Sequence, residues 1–495
     1  MTDFIFKLRR KIFLMLLLAA SPCFAAADDV TAKASKLYEK HYYEEAGRLL
    51  RPQLPAMNGA NQAAARLTLG MIYLRSAELY LELQKTGLGI EIDYLKKLSS
   101  QKSANASHYA DFFLGLALLE QGKYGDAVKR LQSFKSGADN TYQAYASVAQ
   151  GEAFWRQKQT QKASALWDAV AANPEHKAAL AAAYAASGIQ DKHPAAMADA
   201  VIADTKKQKL SQRMLINLLR AYSYGEAPEK ALDLQAANEF SAASYVESLG
   251  KSKSISFYDP GLLGGIAHAQ LSAAVQQLEL ASRDSKLSNT AAYFLTDAYL
   301  LLGNTEQSLR HAATFLAQQQ VPPQYRDHSR ARQAAAQYLS GKRNEANVIW
   351  TELAGQSAAR PDQLGEVMLS CAMAQADCAK HEKRAVVATE AGEGKKYFFL
   401  NAALGKYYLS RKDYTKAALY LEAGRDKANK NKIEINDPAM LTDLAEAYYR
   451  NKKYSESLEI YFEISKQYPA VRQIQEAMQG VYATEQKSAG DVKIF

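Results

Sequence analysis

Beyond the N-terminal segment, hydrophobic positions recur at helical spacing along almost the whole chain. Ala, Leu, Gln, Lys and Glu dominate, Pro totals only 12, and β-branched runs of strand length are hard to find. This composition favours helix, because these residues lose little side-chain freedom in a helix. Short polar turns separate the helical stretches, for example around Gly122, Gly303, Gly341, Lys412 and Lys452. The pattern predicts antiparallel helix pairs.

Four of the predicted helix pairs share one spacing of small residues. In each, a small residue of the first helix precedes a small residue of the second helix by twelve positions. The pairs are Gly115 and Ala127, Gly151 and Ala163, Gly405 and Ala417, and Ala445 and Ser457. Two helices joined by a tight turn approach closely only where side chains are tiny. We therefore expect these eight residues to lie at the contact between the paired helices.

Larger residues complete this pattern. In the third copy, Leu404 and Gly405 are followed by Tyr408, Tyr414, Ala417 and Leu421. The spacing resembles that of the tetratricopeptide repeat (TPR), whose motif runs W-x2-L-G-x2-Y, then A-x3-F, then P. The motif's first aromatic residue is missing, since Asp111, Ser147, Asn401 and Leu441 take its place. Looser copies fall at 32–52, 295–322 and 334–353. The resemblance implies an all-α solenoid, a TPR-like superhelix of roughly ten or more helix pairs.

The first residues have the features of a secretory signal peptide. Basic residues from Lys7 to Lys11 precede the apolar run from Ile12 to Ala20, and Ala25 and Ala27 offer A-x-A cleavage sites. A membrane anchor is the alternative, but a spanning helix needs roughly 20 apolar residues. Pro22 disfavours lipidation of Cys23. We therefore expect residues 1–27 to be removed and the mature chain to have no transmembrane segment. The expected location is the periplasm, with or without association with the outer membrane.

The mature chain is too long for one hydrophobic core, so several domains or a linear array are expected. We predict an N-terminal TPR-like array at 28–250, a loop or joint at 251–265, a C-terminal TPR-like array at 266–484 and a tail at 485–495. The joint is predicted because residues 250–261 interrupt the helical pattern and end in Asp259-Pro260-Gly261, a turn signal. A functional loop is the alternative reading, and the next helix is expected to begin near Ile266.

Cys371 and Cys378 are the two cysteines that remain after processing. In one continuous helix they would lie about 10 Å apart along the axis, too far for a disulfide. A turn near Gln375, Ala376 and Asp377 would bring them together. The sequence leaves both states open, a disulfide or two free thiols.

The charge is concentrated toward the C-terminus. The whole chain has 61 Lys and Arg against 52 Asp and Glu, and the stretch from Lys395 to Lys453 alone has 13 basic and 7 acidic residues. Such a surplus favours acidic protein segments, anionic glycans or lipid headgroups as partners. A solvated face without a partner is the alternative. No nucleic-acid-reading motif is present, so nucleic acid is not expected.

Motifs for catalysis are absent from the sequence. It has no H-E-x-x-H, no G-x-S-x-G and no phosphate loop ending in Gly-Lys-Ser/Thr. The eight histidines have no paired ligand spacing. Asp327-His328-Ser329 contains the residue types of a triad, but neighbours on a helix cannot form the triad's relay. We therefore expect no catalytic residues, no metal and no cofactor.

These features predict a non-catalytic TPR scaffold or adaptor that binds a protein partner in the cell envelope. The partner-binding candidates combine positive charge with an aromatic ring: Lys406, Tyr407, Arg411, Lys412, Lys452 and Lys453. Paired tyrosines such as Tyr407-Tyr408 suit either a ligand-lined face or packing between repeats. One alternative is a periplasmic repeat component of exopolysaccharide export or envelope assembly that binds an anionic glycan. A second, an envelope hydrolase, would need a catalytic domain that no segment indicates.

Overall fold

The computed structural model describes residues 29–100, 106–134, 140–170, 173–205, 210–238, 259–318, 320–355, 361–390, 398–430, 437–468 and 471–488. These ranges form 23 α-helices and two short 3-10 helices, Arg51–Ala56 and Gln190–Lys192, and contain no strand. The predicted signal peptide at 1–27 lies outside the described residues, as do residues 251–258 of the predicted joint and residues 489–495 of the predicted tail. The expected all-α fold of antiparallel helix pairs is confirmed.

The chain divides into two compact units. The first contains the described residues up to Glu78 together with Ala273–Ser457, and the second contains Leu79–Ser272 with the described residues from Leu458 onward. Three helices contribute residues to both units: α3 (Gly59–Ser99), α12 (Pro260–Ala281) and α22 (Tyr454–Gln467).

The remaining helices of the first unit are arranged mostly as consecutive pairs. They are α1 (Asp29–Glu39) with α2 (Tyr43–Leu50), α13 (Ser288–Leu301) with α14 (Thr305–Leu316), α15 (Pro323–Leu339) with α16 (Arg343–Gly355), α17 (Pro361–Ala374) with α18 (Ala379–Glu390), α19 (Phe398–Ser410) with α20 (Tyr414–Lys430), and α21 (Pro438–Arg450), which pairs with the start of α22.

The second unit contains four further pairs and a last helix. The pairs are α4 (Ala106–Glu120) with α5 (Tyr124–Ser133), α6 (Asn140–Arg156) with α7 (Thr160–Asp168), α8 (Pro174–Ala186) with α9 (Pro194–Asp204), and α10 (Gln212–Tyr224) with α11 (Pro228–Ala237). The last helix is α23 (Arg472–Ser488).

Helix α12 begins six residues before the predicted position near Ile266. The Asp259 side chain accepts a 3.0 Å hydrogen bond from the Gly261 amide, and Pro260 is the first residue of the helix. An acidic cap followed by proline is a favourable helix start, because proline has no amide to leave unsatisfied and its φ is already helical. The Asp-Pro-Gly sequence is therefore a helix start and not a turn.

The first helix of every pair in the described chain ends in the same way, although the connection of α8 to α9 also contains the 3-10 helix Gln190–Lys192 and the left-handed His193. A residue in the left-handed conformation ends the first helix, at His41, Gly122, Lys158, Gly188, Glu226, Gly303, Gly341, Gln375, Lys412 and Lys452. At Gly122 its amide bonds to the Leu119 carbonyl at 3.0 Å, and the next amide, of Lys123, bonds to the Leu118 carbonyl at 2.9 Å. This is the Schellman arrangement, which satisfies the last carbonyls of a helix.

The twelve-residue spacing marks the close approach of paired helices. A Cβ on Gly115 would lie 2.5 Å from Leu131 Cγ, and one on Gly151 would lie 2.8 Å from Trp167 Cδ1. The structure buries all eight predicted packing residues: Gly115, Ala127, Gly151, Ala163, Gly405, Ala417, Ala445 and Ser457. Each of the three glycines is thus contacted by a large residue of the second helix, which lies four positions after the small residue of that helix.

The same spacing extends to looser copies. Ala34 and Ala46 are fully buried, as are Ala334 and Ala346. In α13 and α14 the two positions are Thr296 and Ser308, and the serine hydroxyl donates a 2.8 Å hydrogen bond to the threonine carbonyl. A short hydroxyl therefore suits this contact as well as a methyl group does.

Cys371 and Cys378 form a disulfide, with their Cα atoms 6.3 Å apart. Helix α17 ends at Ala374, Gln375 has a φ of 50°, and the Ala376 amide bonds back to the Cys371 carbonyl at 2.9 Å. The turn that the sequence required is thus present, and it folds one cysteine back onto the other.

Candidate functional site

The predicted partner-binding residues lie on two neighbouring helix pairs of the first unit. Lys406 and Tyr407 belong to α19, and Arg411 and Lys412 form the turn after it. Lys452 and Lys453 form the equivalent turn between α21 and α22.

The two basic turns are adjacent in space. The Asn451 side chain donates a 2.9 Å hydrogen bond to the Tyr414 carbonyl, and the Thr415 hydroxyl lies 3.3 Å from the Asn451 side-chain oxygen. Tyr414 and Thr415 immediately follow the turn after α19, and Asn451 lies in the turn after α21, so these bonds connect the two turns. The structure therefore brings the lysines of both turns to one surface.

The charged candidates differ in whether an acidic group neutralises them. Lys406 forms an ion pair with Asp443 at 3.3 Å, and Lys453 lies 3.7 Å from Glu422. Arg411, Lys412 and Lys452 are exposed, and within the described chain they form no ion pair. These three residues are hereafter called the basic turn surface.

Tyr407 is not part of this surface, because only 1% of it is exposed. Its hydroxyl accepts a 3.3 Å hydrogen bond from the Cys378 amide, so it supports the disulfide-linked turn of the neighbouring pair. Tyr408, Tyr448 and Tyr449 are buried as well. The paired tyrosines of these repeats therefore pack between helices and do not line a ligand face.

Sequence reasoning missed a buried charge network in the second unit. Arg220 on α10 contacts the carboxylates of Glu120 at 2.8 Å and Glu152 at 3.3 Å. On the same helix, Arg213 pairs with Asp259 and lies over the Tyr145 ring, 5.7 Å from its centre. These groups line a small cavity of about 20 Å³.

The electrostatics of this network follow from burial. Burial raises the pKa of Glu120, the Arg220 guanidinium opposes that rise, and the Glu152 carboxylate adds to it. Burial also acts to lower the pKa of Arg220, but the two carboxylates outweigh it and raise that pKa. The arginine is therefore a permanent cation between the buried Glu152 and the partly buried Glu120.

The first unit contains a different charge cluster around His328 of α15. Its Nε2 lies 3.1 Å from Asp297 on α13, and its Nδ1 lies 3.1 Å from Glu366 on α17. Arg332, one turn further along α15, lies 3.2 Å from Asp297. The acidic partners of His328 thus come from other helices and not from the adjacent Asp327.

The sequence held a faint signal for both clusters. One face of a predicted helix carries three polar residues at spacings i, i+4 and i+7, namely Arg213, Asn217 and Arg220. The same holds for His328 and Arg332. Such spacing is usual for solvated helix faces, so only the tertiary structure shows that these side chains are buried.

No described helix is both long and apolar enough to cross a membrane. Among the residues with described positions, no group of three or more His, Cys, Asp or Glu side chains is arranged to hold a metal ion.

Comparison with known proteins gives similarity only at the level of solved structures. No family model matches the chain, and no curated protein sequence matches it. The chain is similar to yeast Tom70, with 12% identity over 93% of this chain and 96% of that chain and a TM-score of 0.32. It is similar to the Cut9-Hcn1 hetero-tetramer of the APC/C, with 13% identity over 93% and 98% and a TM-score of 0.26. For the TPR domain of P58(IPK) the identity is 14% over 77% and 100%, with a TM-score of 0.20.

The class of the protein therefore rests on its own helix pairs. Ten helix ends of one geometry and a twelve-residue spacing of buried small residues define an all-α protein built of TPR-like helix pairs.

Proposed function

We propose that this chain is a non-catalytic TPR-like scaffold that binds a protein partner in the cell envelope. The observation that carries the proposal is the repetition of one helix-pair geometry along the described chain. Arrays of stacked helix pairs present extended surfaces on which a partner can bind. The basic turn surface is the first place to test for such a contact.

Two features support an envelope location. The N-terminal sequence, with basic residues before an apolar run and small residues near Ala25, is typical of an exported precursor. The Cys371–Cys378 disulfide suits an oxidising compartment, because thiols are kept reduced in the cytosol. Fractionation of cells expressing the tagged full-length chain tests this part of the proposal, and recovery in the cytosol with an uncleaved N-terminus would contradict it.

Binding of an anionic glycan is the second candidate function. The basic turn surface favours it, because Arg411, Lys412 and Lys452 are exposed and adjacent and have no described acidic partner. Contacts of this kind between exposed charges weaken as salt rises. A protein partner held mainly by apolar contacts would remain bound.

The experiment that separates these functions is cross-linking in the intact envelope followed by mass spectrometry. Recovery of one specific protein by cross-linking, and its retention by the purified chain at high salt without cross-linker, supports the scaffold. Retention of the purified chain on an acidic polysaccharide, lost at high salt, supports the glycan function. Hydrolysis of peptidoglycan fragments by the purified chain would contradict the non-catalytic proposal.

A charge-reversal variant tests whether the basic turn surface is involved. The test variant is R411E/K412E/K452E, and the matched control, K123E/K129E/K158E, changes three exposed lysines of the second unit. Lys158 resembles Lys412, because both have a left-handed backbone with a φ of 62°. If the surface binds the partner, the test variant loses binding and the control keeps it. Equal binding by both variants would exclude this surface.

A further inference from the structure

His328 lies between two carboxylates that approach opposite sides of its ring. Glu366 Oε2 is 3.1 Å from Nδ1, and Asp297 Oδ2 is 3.1 Å from Nε2. Only 8% of His328 is exposed. The ring therefore connects α13, α15 and α17 through two short polar contacts in the interior of the first unit.

Hydrogen-bond chemistry decides the charge of this ring. An ionised carboxylate can only accept, and a neutral imidazole carries a single N–H. A neutral ring would therefore turn a nitrogen lone pair toward one of the two carboxylates. The imidazolium donates from both nitrogens and satisfies both, and such charge-assisted bonds are stronger than neutral ones.

The surroundings of His328 also favour a positive charge. Two guanidinium groups and three carboxylates face the ring or its partners from four helices: Arg75 and Glu78 of α3, Asp297 of α13, Arg332 of α15, and Glu366 of α17. Arg75 pairs with Glu78 at 2.5 Å, and Asp327 accepts a 2.8 Å hydrogen bond from Gln363. The Tyr293 ring packs against the histidine, with the two ring centres 5.0 Å apart. Without the histidine proton, acidic groups are in excess.

The pKa of His328 agrees with this geometry. Burial and the Arg332 guanidinium act to lower it, but the carboxylates of Asp297 and Glu366 outweigh them and raise it above its usual value. A histidine whose pKa is raised by folding stabilises the folded state below its unfolded pKa. That stabilisation is lost as pH rises through the folded pKa.

We propose that the His328 imidazolium is a proton-dependent brace that ties α13, α15 and α17 together. Loss of its proton leaves a neutral ring between two carboxylates and loosens these three helices. The first unit therefore changes its local stability with pH. In the described network of the second unit the central cation is instead Arg220, an arginine that stays charged as pH rises. This inference does not depend on the proposed partner or location.

Other histidines contribute with the opposite sign. The pKa values of His41, His268, His311 and His381 are all lowered, in the first place by burial. A histidine whose pKa is lowered stabilises the fold as pH rises. The pH dependence of the whole chain is thus a sum of opposing effects, and only the difference between variants isolates His328.

The test combines a titration with hydrogen exchange on the full chain. In wild-type protein labelled at histidine carbons, the His328 resonance should titrate above the ordinary value of about 6.5. Hydrogen exchange followed by mass spectrometry should show protection of α13, α15 and α17 falling as pH rises, by about tenfold for a pKa raised by one. A His328 midpoint at or below 6.5 overturns the proposal.

Variants provide the controls. His328→Gln should exchange faster in these helices at low pH and lose the pH dependence there, whereas His193→Gln, at an exposed position of the second unit, should match wild type. Wild-type pH dependence in His328→Gln overturns the proposal. If His328→Gln does not fold, Asp297→Asn provides the test instead. Removing this carboxylate should lower the pH at which His328 is half-protonated. An unchanged titration midpoint would contradict the proposed brace.

Discussion

The Ser457 hydroxyl donates a 2.7 Å hydrogen bond to the carbonyl of Ala445, twelve residues earlier in the chain. Both residues are completely buried. Ser308 makes the same contact with Thr296 in another helix pair. The close approach of paired helices therefore requires a small residue at this position but not an apolar one, since a hydroxyl finds an acceptor on the facing helix.

The tightest of these contacts predicts a strong effect of adding one methyl group. In Gly151→Ala, the new Cβ would overlap the Trp167 indole, which is itself fixed by a 3.1 Å hydrogen bond to the Val148 carbonyl. Overpacking of this kind costs about 1–3 kcal/mol. Chemical denaturation followed by circular dichroism measures the loss.

Gly125→Ala is the matched control for this change. Gly125 also lies in a helix, but no atom approaches within 4 Å of its added Cβ. The control should be neutral or stabilising by up to about 1 kcal/mol, because alanine has the higher helix propensity. Equal destabilisation of both variants would mean that the Gly151 contact is not tight.

A lysine in the left-handed backbone conformation should lower the free energy of unfolding relative to a glycine at the same position. Lys412 has a φ of 62°, a conformation that costs a non-glycine residue about 1–2 kcal/mol. Lys412→Gly removes this cost but adds backbone freedom to the unfolded chain, so a net stabilisation of about 0.5–1 kcal/mol is expected. Lys129→Gly, in an exposed position of α5, should instead destabilise by about 1 kcal/mol. A destabilised Lys412→Gly in thermal unfolding would contradict the left-handed assignment.

Arg220 should be far more important for stability than an exposed basic residue. Arg220→Met leaves the buried Glu152 and the partly buried Glu120 without their cation, and breaking a buried pair in this way costs about 3–5 kcal/mol. Lys230→Met breaks the exposed pair with Asp199 and should cost no more than about 1 kcal/mol.

The pH dependence of Arg220→Met provides a second check. Burial already raises the pKa of Glu120, and removing the arginine raises it further. A carboxyl group whose pKa is raised by folding destabilises the folded state while it is ionised. This destabilisation decreases as pH falls, because the group becomes protonated. The deficit of the variant relative to wild type should therefore shrink from pH 7 to pH 5. A deficit that is constant over this range would show that the acids are not buried as the structure has them.

The disulfide should stabilise the pair formed by α17 and α18. Closing so short a loop is expected to contribute about 2–3 kcal/mol through the entropy of the unfolded chain. The double variant C371A/C378A should unfold at correspondingly lower denaturant, and reduction of the wild-type protein should have a similar effect. Peptide mapping without reductant should recover Cys371 and Cys378 in one linked fragment, and separate fragments would contradict the bond.

The repeat architecture could be predicted from the sequence because it depends on local spacing. Gly115 with Ala127, or Gly405 with Ala417, are close in the chain and joined by one turn, so their contact follows from helix geometry alone. The turn near Gln375 could likewise be inferred as the condition for a disulfide. Asp259-Pro260-Gly261 was misread because these residues suit a turn and a helix start equally well, and the helix that follows decides between them.

Contacts between distant segments could not be predicted in this way. Arg220 pairs with Glu120, and His328 with Asp297 and Glu366, across separations that no periodicity encodes. A polar residue on a helix has the same sequence pattern whether water or a neighbouring helix covers it. Local spacing thus specified the helix pairs and their turns. Only the stacking of those pairs buried Tyr407, neutralised Lys406 with Asp443 and left Arg411, Lys412 and Lys452 exposed, because burial depends on neighbours that are remote in the chain.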